Sequence, residues 1–443
     1  MCLYKKYLRS TRFFVLVSIL SLFLLDSCNK APEEAGWETS EKSMDQLIIE
    51  RVFHWPVSRD VDLSVEAVDN NGNPVPFVRF NIFTKSPGNG GLLMFSGTTN
   101  VEGVFETLLP LPEWKDQITI VTTNNELTTE KTISAAGKVI DVLFEGLIAD
   151  TDTNDFDMDS ITDRYDDYPQ DTLKSFNNYC PNESEFGYLV FEDSWPDAGD
   201  NDFNDLVVGY RFNLVTNVLN QVVEVKVTIV AEATGTTSHN GFGFQFVLDT
   251  SFFSRISGAR LTPGTISVDE KGFETGQQKA VVIAFDDACN LFSPSKAGTM
   301  TNTVPGIPFI SPDTVFLTIG LKKSIPIAGF GTPPYNPFIF IDGARGREVH
   351  LPDFPPTDLA DTSLFGTLSD NSKPEIYNYY KSRNNLPWAL HLPGHFRYLK
   401  EGQVINQGYR KFNEWAESTG SRYRDWYWNT AEGYRNAALI YAH

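Results

Sequence analysis

Between positions 155 and 166 the chain reads Asp155-Phe156-Asp157-Met158-Asp159-Ser160-Ile161-Thr162-Asp163-Arg164-Tyr165-Asp166. Counted from Asp155, carboxylates fall at positions 1, 3, 5, 9 and 12, and Ile161 at position 7 can offer its backbone carbonyl. A tight coil with this spacing turns alternate side chains inward, and Ca²⁺ takes about six to eight such oxygens. Two aspartates about 6 Å apart repel by roughly 0.7 kcal/mol even in water, and by more once desolvated. So many acids in so short a loop point to a divalent cation among them. The candidate ligands are Asp155, Asp157, Asp159, Ile161, Asp163 and Asp166, with Asp150 and Asp152 upstream as further oxygens. Position 6, normally Gly for a left-handed turn, is Ser160, which predicts a looser loop or a lower affinity. The alternative is a solvated acidic linker.

A second acidic constellation runs from Phe191 to Leu206, with Glu192, Asp193, Asp197, Asp200, Asp202 and Asp205 interleaved with Trp195 and Phe203. The aromatics can be buried on one face while Asp193, Asp200, Asp202 and Asp205 converge on a second cation. A loop of Asx-turns and N-caps would use the same residue types.

No catalytic constellation emerges. His391 and His395 have the separation of a helical zinc pair, but Pro393-Gly394 between them breaks the helix such a pair needs. There is no His-Glu-x-x-His, no Gly-x-Ser-x-Gly elbow and no phosphate loop. Among 57 acidic residues, no glycosidase-type carboxylate pair can be singled out. Trp388, Trp415, Trp426 and Trp428 could form a sugar-stacking face, although packing is the commoner use of tryptophan. The net charge of −21 argues against nucleic acid as partner, because phosphate binding needs clustered Lys and Arg.

The amino terminus reads as an address. Lys5, Lys6, Arg9 and Arg12 precede an apolar run from Phe13 to Leu25, too short to span a bilayer but suited to a signal peptide. Leu25-Asp26-Ser27-Cys28 resembles a bacterial lipoprotein cleavage box, with Asp26 departing from the usual residue before the small one. Acylated Cys28 would anchor the protein to a membrane, since each buried acyl CH₂ contributes about 0.8 kcal/mol. Asn29-Lys30-Ala31-Pro32-Glu33-Glu34 resembles a surface-export signal of some Gram-negative lipoproteins. Cys180 and Cys289 then remain as a candidate disulfide in an oxidising envelope, provided their Cα atoms come close enough.

The elements that must position these loops are strands. Across 443 residues, 32 Gly, 25 Pro and 33 Phe favour strands and turns over helical bundles. Val61, Leu63, Val65 and Ala67 alternate with polar residues, as do Val78, Phe80 and Ile82. Turn signals at 69–74 and 99–103 predict a β-sandwich over 46–146. It follows the signal (1–28) and a spacer (29–45), and precedes the aspartate-rich linker (147–172). Strands are expected at 187–191, 206–212, 222–230, 242–248, 281–285, 315–321 and 338–341. They predict a larger antiparallel β domain over 176–443. Tyr409, Phe412, Trp415 and Ala416 fall at helical spacing and predict a short helix near 407–418. The fold class is mainly β.

Three resemblances carry function. The order of strands and Asn/Gly turns over 46–146 looks like the transthyretin-like or immunoglobulin-like modules of surface proteins. The aspartate loop resembles the thrombospondin type 3 repeat, a calcium-binding linker unit. Phe191-Glu192-Asp193-Ser194-Trp195-Pro196, Gly199 through Phe212, His239-Asn240-Gly241-Phe242-Gly243-Phe244, Gly346 through Pro352, Thr357 through Asp361 and Asn384 through Ala389 resemble the LruC-domain lipoproteins over about residues 150–443. That resemblance implies a lipid-anchored protein of the outer membrane or cell surface, and it brings no active site. The expectation is a non-enzymatic, calcium-stabilised protein that binds a ligand, adheres or assembles, with a glycan or a surface protein as partner. The alternative is a calcium-dependent glycan-binding module or a carbohydrate-active enzyme.

Overall fold

The computed structural model describes residues 42–124, 126–296 and 298–442. The signal segment and Cys28 lie outside the described residues. Seven strands form the first sandwich: β1 Ser58–Ala67, β2 Arg79–Phe83, β3 Leu93–Thr98, β4 Val104–Pro112, β5 Gln117–Asn124, β6 Leu127–Ser134 and β7 Val139–Phe144. One sheet has the order β4-β1-β7 and the other β3-β2-β5-β6. β1 runs antiparallel to β4 and parallel to β7. The alternation read from Val61 to Ala67 holds, because all four side chains are buried between the sheets. Phe80 on β2 meets Phe144 on β7 with ring centroids 4.9 Å apart, which closes the sandwich.

Eleven more strands follow: β8 Phe176–Cys180, β9 Gly187–Phe191, β10 Leu206–Thr216, β11 Gln221–Ala233, β12 Asn240–Gln245, β13 Phe253–Ser257, β14 Val281–Phe285, β15 Thr314–Pro326, β16 Asn336–Ile341, β17 Ala344–His350 and β18 Ala389–Leu392. They form a seven-stranded sheet, β13-β15-β11-β10-β9-β18 with β8 also on β10, and a four-stranded sheet, β14-β12-β16-β17. Every pairing in both sheets is antiparallel. Phe212 on β10 packs edge-on against Phe244 on β12 at 5.4 Å, joining the two sheets. β12 and β16 are buried on both faces; β16 reads as a near-continuous apolar run and β12 sets Phe242 and Phe244 between glycines, whereas β11 alternates buried and half-buried positions.

The two sandwiches are not strung on a loose connector. Their apolar residues belong to one continuous core, and the described residues fall in one compact unit. Backbone and side-chain hydrogen bonds cross the seam: Ser96 N–H donates to Asn178 Oδ1 at 3.0 Å and Thr98 N–H to Asn220 Oδ1 at 3.1 Å.

Residues 44–57 pack against the carboxyl-terminal tail. Met44, Leu47, Ile49, Phe53 and Trp55 are buried in a second cluster with Phe412, Trp415 and Trp426. Phe53 and Trp55 lie 5.3 and 5.5 Å from Trp415. The expected helix near 407–418 is two short ones, α2 Ile405–Gly408 and α3 Phe412–Glu417, after α1 Ile327–Phe330. Trp388, Trp415 and Trp426 are buried, so three of the four candidate sugar-stacking tryptophans are packing residues.

The candidate disulfide is corrected: Cys180 and Cys289 are both free and buried. Cys180 ends β8 in the seven-stranded sheet, with Sγ facing Pro333 O at 4.0 Å. Cys289 lies in a 3-10 turn beyond β14 of the other sheet, so each thiol has its own neighbours. His391 and His395 do not pair either. His391 is buried against the Tyr210 hydroxyl at 2.5 Å and is pushed down to about 3 by burial, while His395 is exposed.

A buried ionic network locks β17 to its surroundings. Arg345 bonds Glu274 and Glu348, and Glu348 also accepts from Thr357 N–H at 3.0 Å and meets His350 Nε2 at 2.8 Å. Burial pushes Glu348 up, but the His350, Arg345 and Thr357 contacts win and hold it at about 2. A depressed folded value stabilises above the unfolded value of 4.5, and this contribution is lost as pH falls toward about 2. Glu348→Gln should therefore cost about 3 kcal/mol or more in urea unfolding at pH 7. The gap to wild type should narrow at about pH 3.

Candidate metal centres

The first acidic loop sits where the two sandwiches meet. Asp167, just past it, pairs with Arg79 of β2 at 2.7 Å and accepts Asn177 N–H of β8 at 3.0 Å. Arg79 Nη1 also donates to Tyr165 O at 2.6 Å. Within the loop, carboxylate oxygens of Asp155, Asp157 and Asp159 lie within 4.8 Å of one another. Both Asp155 oxygens accept backbone donors, from Met158 and Ser160 N–H at 2.7 and 2.9 Å, and Asp159 accepts Ile161 N–H at 2.7 Å and the Ser175 hydroxyl at 2.6 Å. Ser160 has φ +85°, so the residue standing at the glycine position does adopt the left-handed turn.

Asp166 is buried, and burial together with Asp159, Asp157 and Asp167 pushes it up to about 7. Asp157 is raised by burial and by Asp159 and Asp155. Asp157 Oδ2 and Asp166 Oδ2 are both buried without a hydrogen-bond partner. Such orphaned oxygens are costly, and a cation is the partner that would satisfy them. The remaining expected ligands divide. Asp163 Oδ1 accepts Phe156 N–H at 2.8 Å and ties the loop across itself, and Ile161 buries its side chain. Asp150 and Asp152 face Arg164 instead of the trio.

In the second loop the structure assembles a different set from the one expected. Oxygens of Glu192, Asp200 and Asp202 lie within 4.8 Å of one another. Asp200 and Asp202 were anticipated and Glu192 was not. Asp193 instead accepts from Asn240 Nδ2 at 3.0 Å, and Asp205 accepts Asp193 N–H at 2.8 Å. Successive side chains on an extended backbone point to opposite sides, so Glu192 and Asp193 diverge. The signal was parity: Val190 packs in the second cluster while Leu189 and Phe191 pack in the main core, and Glu192 continues the face of Val190.

Glu192 is 2% exposed and Asp202 1%. Glu192 Oε1 accepts Phe203 N–H at 2.7 Å, but Oε2 has no partner, nor does Asn204 Oδ1 nearby. Burial and the charges of Asp202 and Asp200 push Glu192 well up. Burial and Asp200 raise Asp202 to about 7, and burial with Glu192 and Asp193 raises Asp205 to about 10. A Cβ on Gly199 would stand 1.8 Å from Glu192 Oε2, so only glycine lets the loop close over that carboxylate. Were Glu192 and Asp202 both ionised, their repulsion would be about 3 kcal/mol at an effective dielectric constant of about 20. Both clusters therefore could hold a metal ion.

Residues 220–427 match the family model described as "Domain of unknown function (DUF4842)" and residues 59–142 the one described as "Domain of unknown function (DUF8469)". Both acidic loops fall between the two matched segments. A crystal structure described as a "Putative lipoprotein from Bacteroides ovatus" has a TM-score of 0.52 at 16% identity, covering 81% of this chain and 99% of that chain, which shows a shared fold. The major pilin subunit of Bacillus cereus has a TM-score of 0.14 at 10% identity, over 64% of each chain, too low to bear on the fold. No curated protein matches the chain.

In a background carrying Asp157→Ala and Asp159→Ala to silence the first loop, Glu192→Gln should weaken calcium binding about tenfold or more by titration calorimetry. Asp193→Asn should leave it unchanged, because that side chain is engaged by Asn240.

Proposed function

We propose that the chain is a lipid-anchored, non-catalytic envelope protein in which Ca²⁺ fixes two acidic loops on a rigid β scaffold. Its role would be adhesion, ligand binding or assembly at the outer membrane or cell surface. The observation that carries the calcium reading is the set of buried carboxylate oxygens without partners: Asp157 Oδ2, Asp166 Oδ2 and Glu192 Oε2. All-oxygen donor sets suit Ca²⁺. The anchor rests on Cys28 after the apolar run, and the fold shared with the Bacteroides ovatus structure and the LruC resemblance support the same reading.

Calcium here would order the seam between the two sandwiches. With affinities of about 10⁻⁴–10⁻³ M, usual for extracellular modules, about 10 mM Ca²⁺ would stabilise by roughly 1.4–2.7 kcal/mol per site. The test is thermal unfolding with calcium and with chelator. Wild type should gain a few degrees from calcium, and Asp157→Ala with Asp159→Ala should lose the first loop's share of that gain. Equal melting of both proteins under both conditions would refute the reading. For the anchor, Cys28→Ala should abolish labelling by radioactive palmitate and release the protein from membranes. A glycan array with and without chelator separates a sugar partner from a protein one.

A further inference from the structure

A third cluster lies apart from the acidic loops and has a different chemistry. β12 and β14 pair antiparallel with Phe242 opposite Phe285. The residue that leads into β12 and the turn that leaves β14 therefore arrive at the same end of the sheet. That brings together His239, Asp287 and Cys289, with one ligand atom from each lying within 4.8 Å of the others. His239 Nδ1 is 2.8 Å from Asp287 Oδ2, and Asp287 Oδ1 accepts Cys289 N–H at 2.9 Å. Asp342 Oδ1 accepts His239 N–H at 2.9 Å, adding a second negative charge beside the imidazole.

We propose that His239, Asp287 and Cys289 form a binding site for a zinc-class divalent transition metal, distinct from the oxygen-only loops. Imidazole nitrogen, carboxylate oxygen and thiolate sulfur are together the donor set of zinc-class ions. Ca²⁺ instead prefers oxygen throughout. Three protein ligands leave one tetrahedral position for water or a ligand. Access is asymmetric: Cys289 is 1% exposed, while the His239 side chain is 42% exposed and would receive the ion from solvent. A nucleophilic cysteine fits less well. Burial and the Asp287 carboxylate, which accepts the thiol proton, push the thiol up to about 11; a bound metal would displace that proton, whereas a free nucleophile would keep it. The purely structural reading has Asp287 capping the Ala288–Leu291 turn and holding His239. In that reading the sulfur only donates its proton to Asp287, and the imidazole–carboxylate–thiol convergence is incidental.

Cobalt(II) is the probe, titrated into the reduced full chain with calcium present in excess to fill the acidic loops. The wild type should develop a near-ultraviolet thiolate-to-cobalt charge-transfer band that saturates at one equivalent and is displaced by zinc. Cys289→Ser should remove the band. His239→Ala, at a half-exposed position that does not threaten folding, should lower cobalt affinity about 100-fold or more. No band in the wild type, a band that survives Cys289→Ser, or unchanged affinity in His239→Ala would each overturn the proposal.

Discussion

Carboxylates held together inside a folded body repel one another, and the middle of this chain is arranged around that repulsion. Glu192 and Asp202 are buried beside Asp200, while Asp157 and Asp166 face one another's charge at the seam of the two sandwiches. In Asp157, Asp166 and Glu192 a backbone N–H satisfies one oxygen and leaves the other without a donor. Proton uptake or a cation are the two ways to relieve that state. The raised values of Asp166, Asp202 and Asp205 express the first. The all-oxygen geometry accommodates the second.

The scaffold makes the constraint structural as well as electrostatic. Asp167 is held by Arg79 from one sandwich and Asn177 from the other, so the first loop cannot shift without loosening both. The second loop is closed by Gly402 N–H donating to Asp202 at 2.8 Å, which ties it to the carboxyl-terminal tail. Each loop thus fastens parts of the chain distant in sequence. The shared apolar core beneath them supplies most of the hydrophobic stabilisation, and the loops specify how the pieces register.

Much of this was legible from side-chain parity. Strands β1, β9, β10, β11, β14, β15 and β16 declared themselves through Val, Ile and Phe alternation or short apolar runs. β6 was silent because Leu127 to Ser134 forms a polar sheet edge with no residue fully buried. β17 was silent because its inward positions are charged: Glu348 and His350 bond each other and their neighbours Arg345, Thr357 and Asn336, and Arg345 in turn reaches the distant Glu274. In the first loop the alternating Asp155, Asp157 and Asp159 were readable, since local spacing sets their geometry. Glu192 was not, because its place depends on which face β9 turns toward the tail. The association of Phe53 and Trp55 with Trp415 was invisible for the same reason: it joins residues more than three hundred positions apart.

That last contact has a mechanical meaning. The segment leading into β1 is clamped by an aromatic cluster made almost wholly from the tail, with Lys42 paired to Glu417 at 2.6 Å at its outer edge. Tension on the chain ahead of Lys42 would meet interlocked rings before it reached the first strand. A tethered protein loaded in this way would resist by shear along the Phe53–Trp55 stretch, and the strands beyond would stay paired until that clasp slipped.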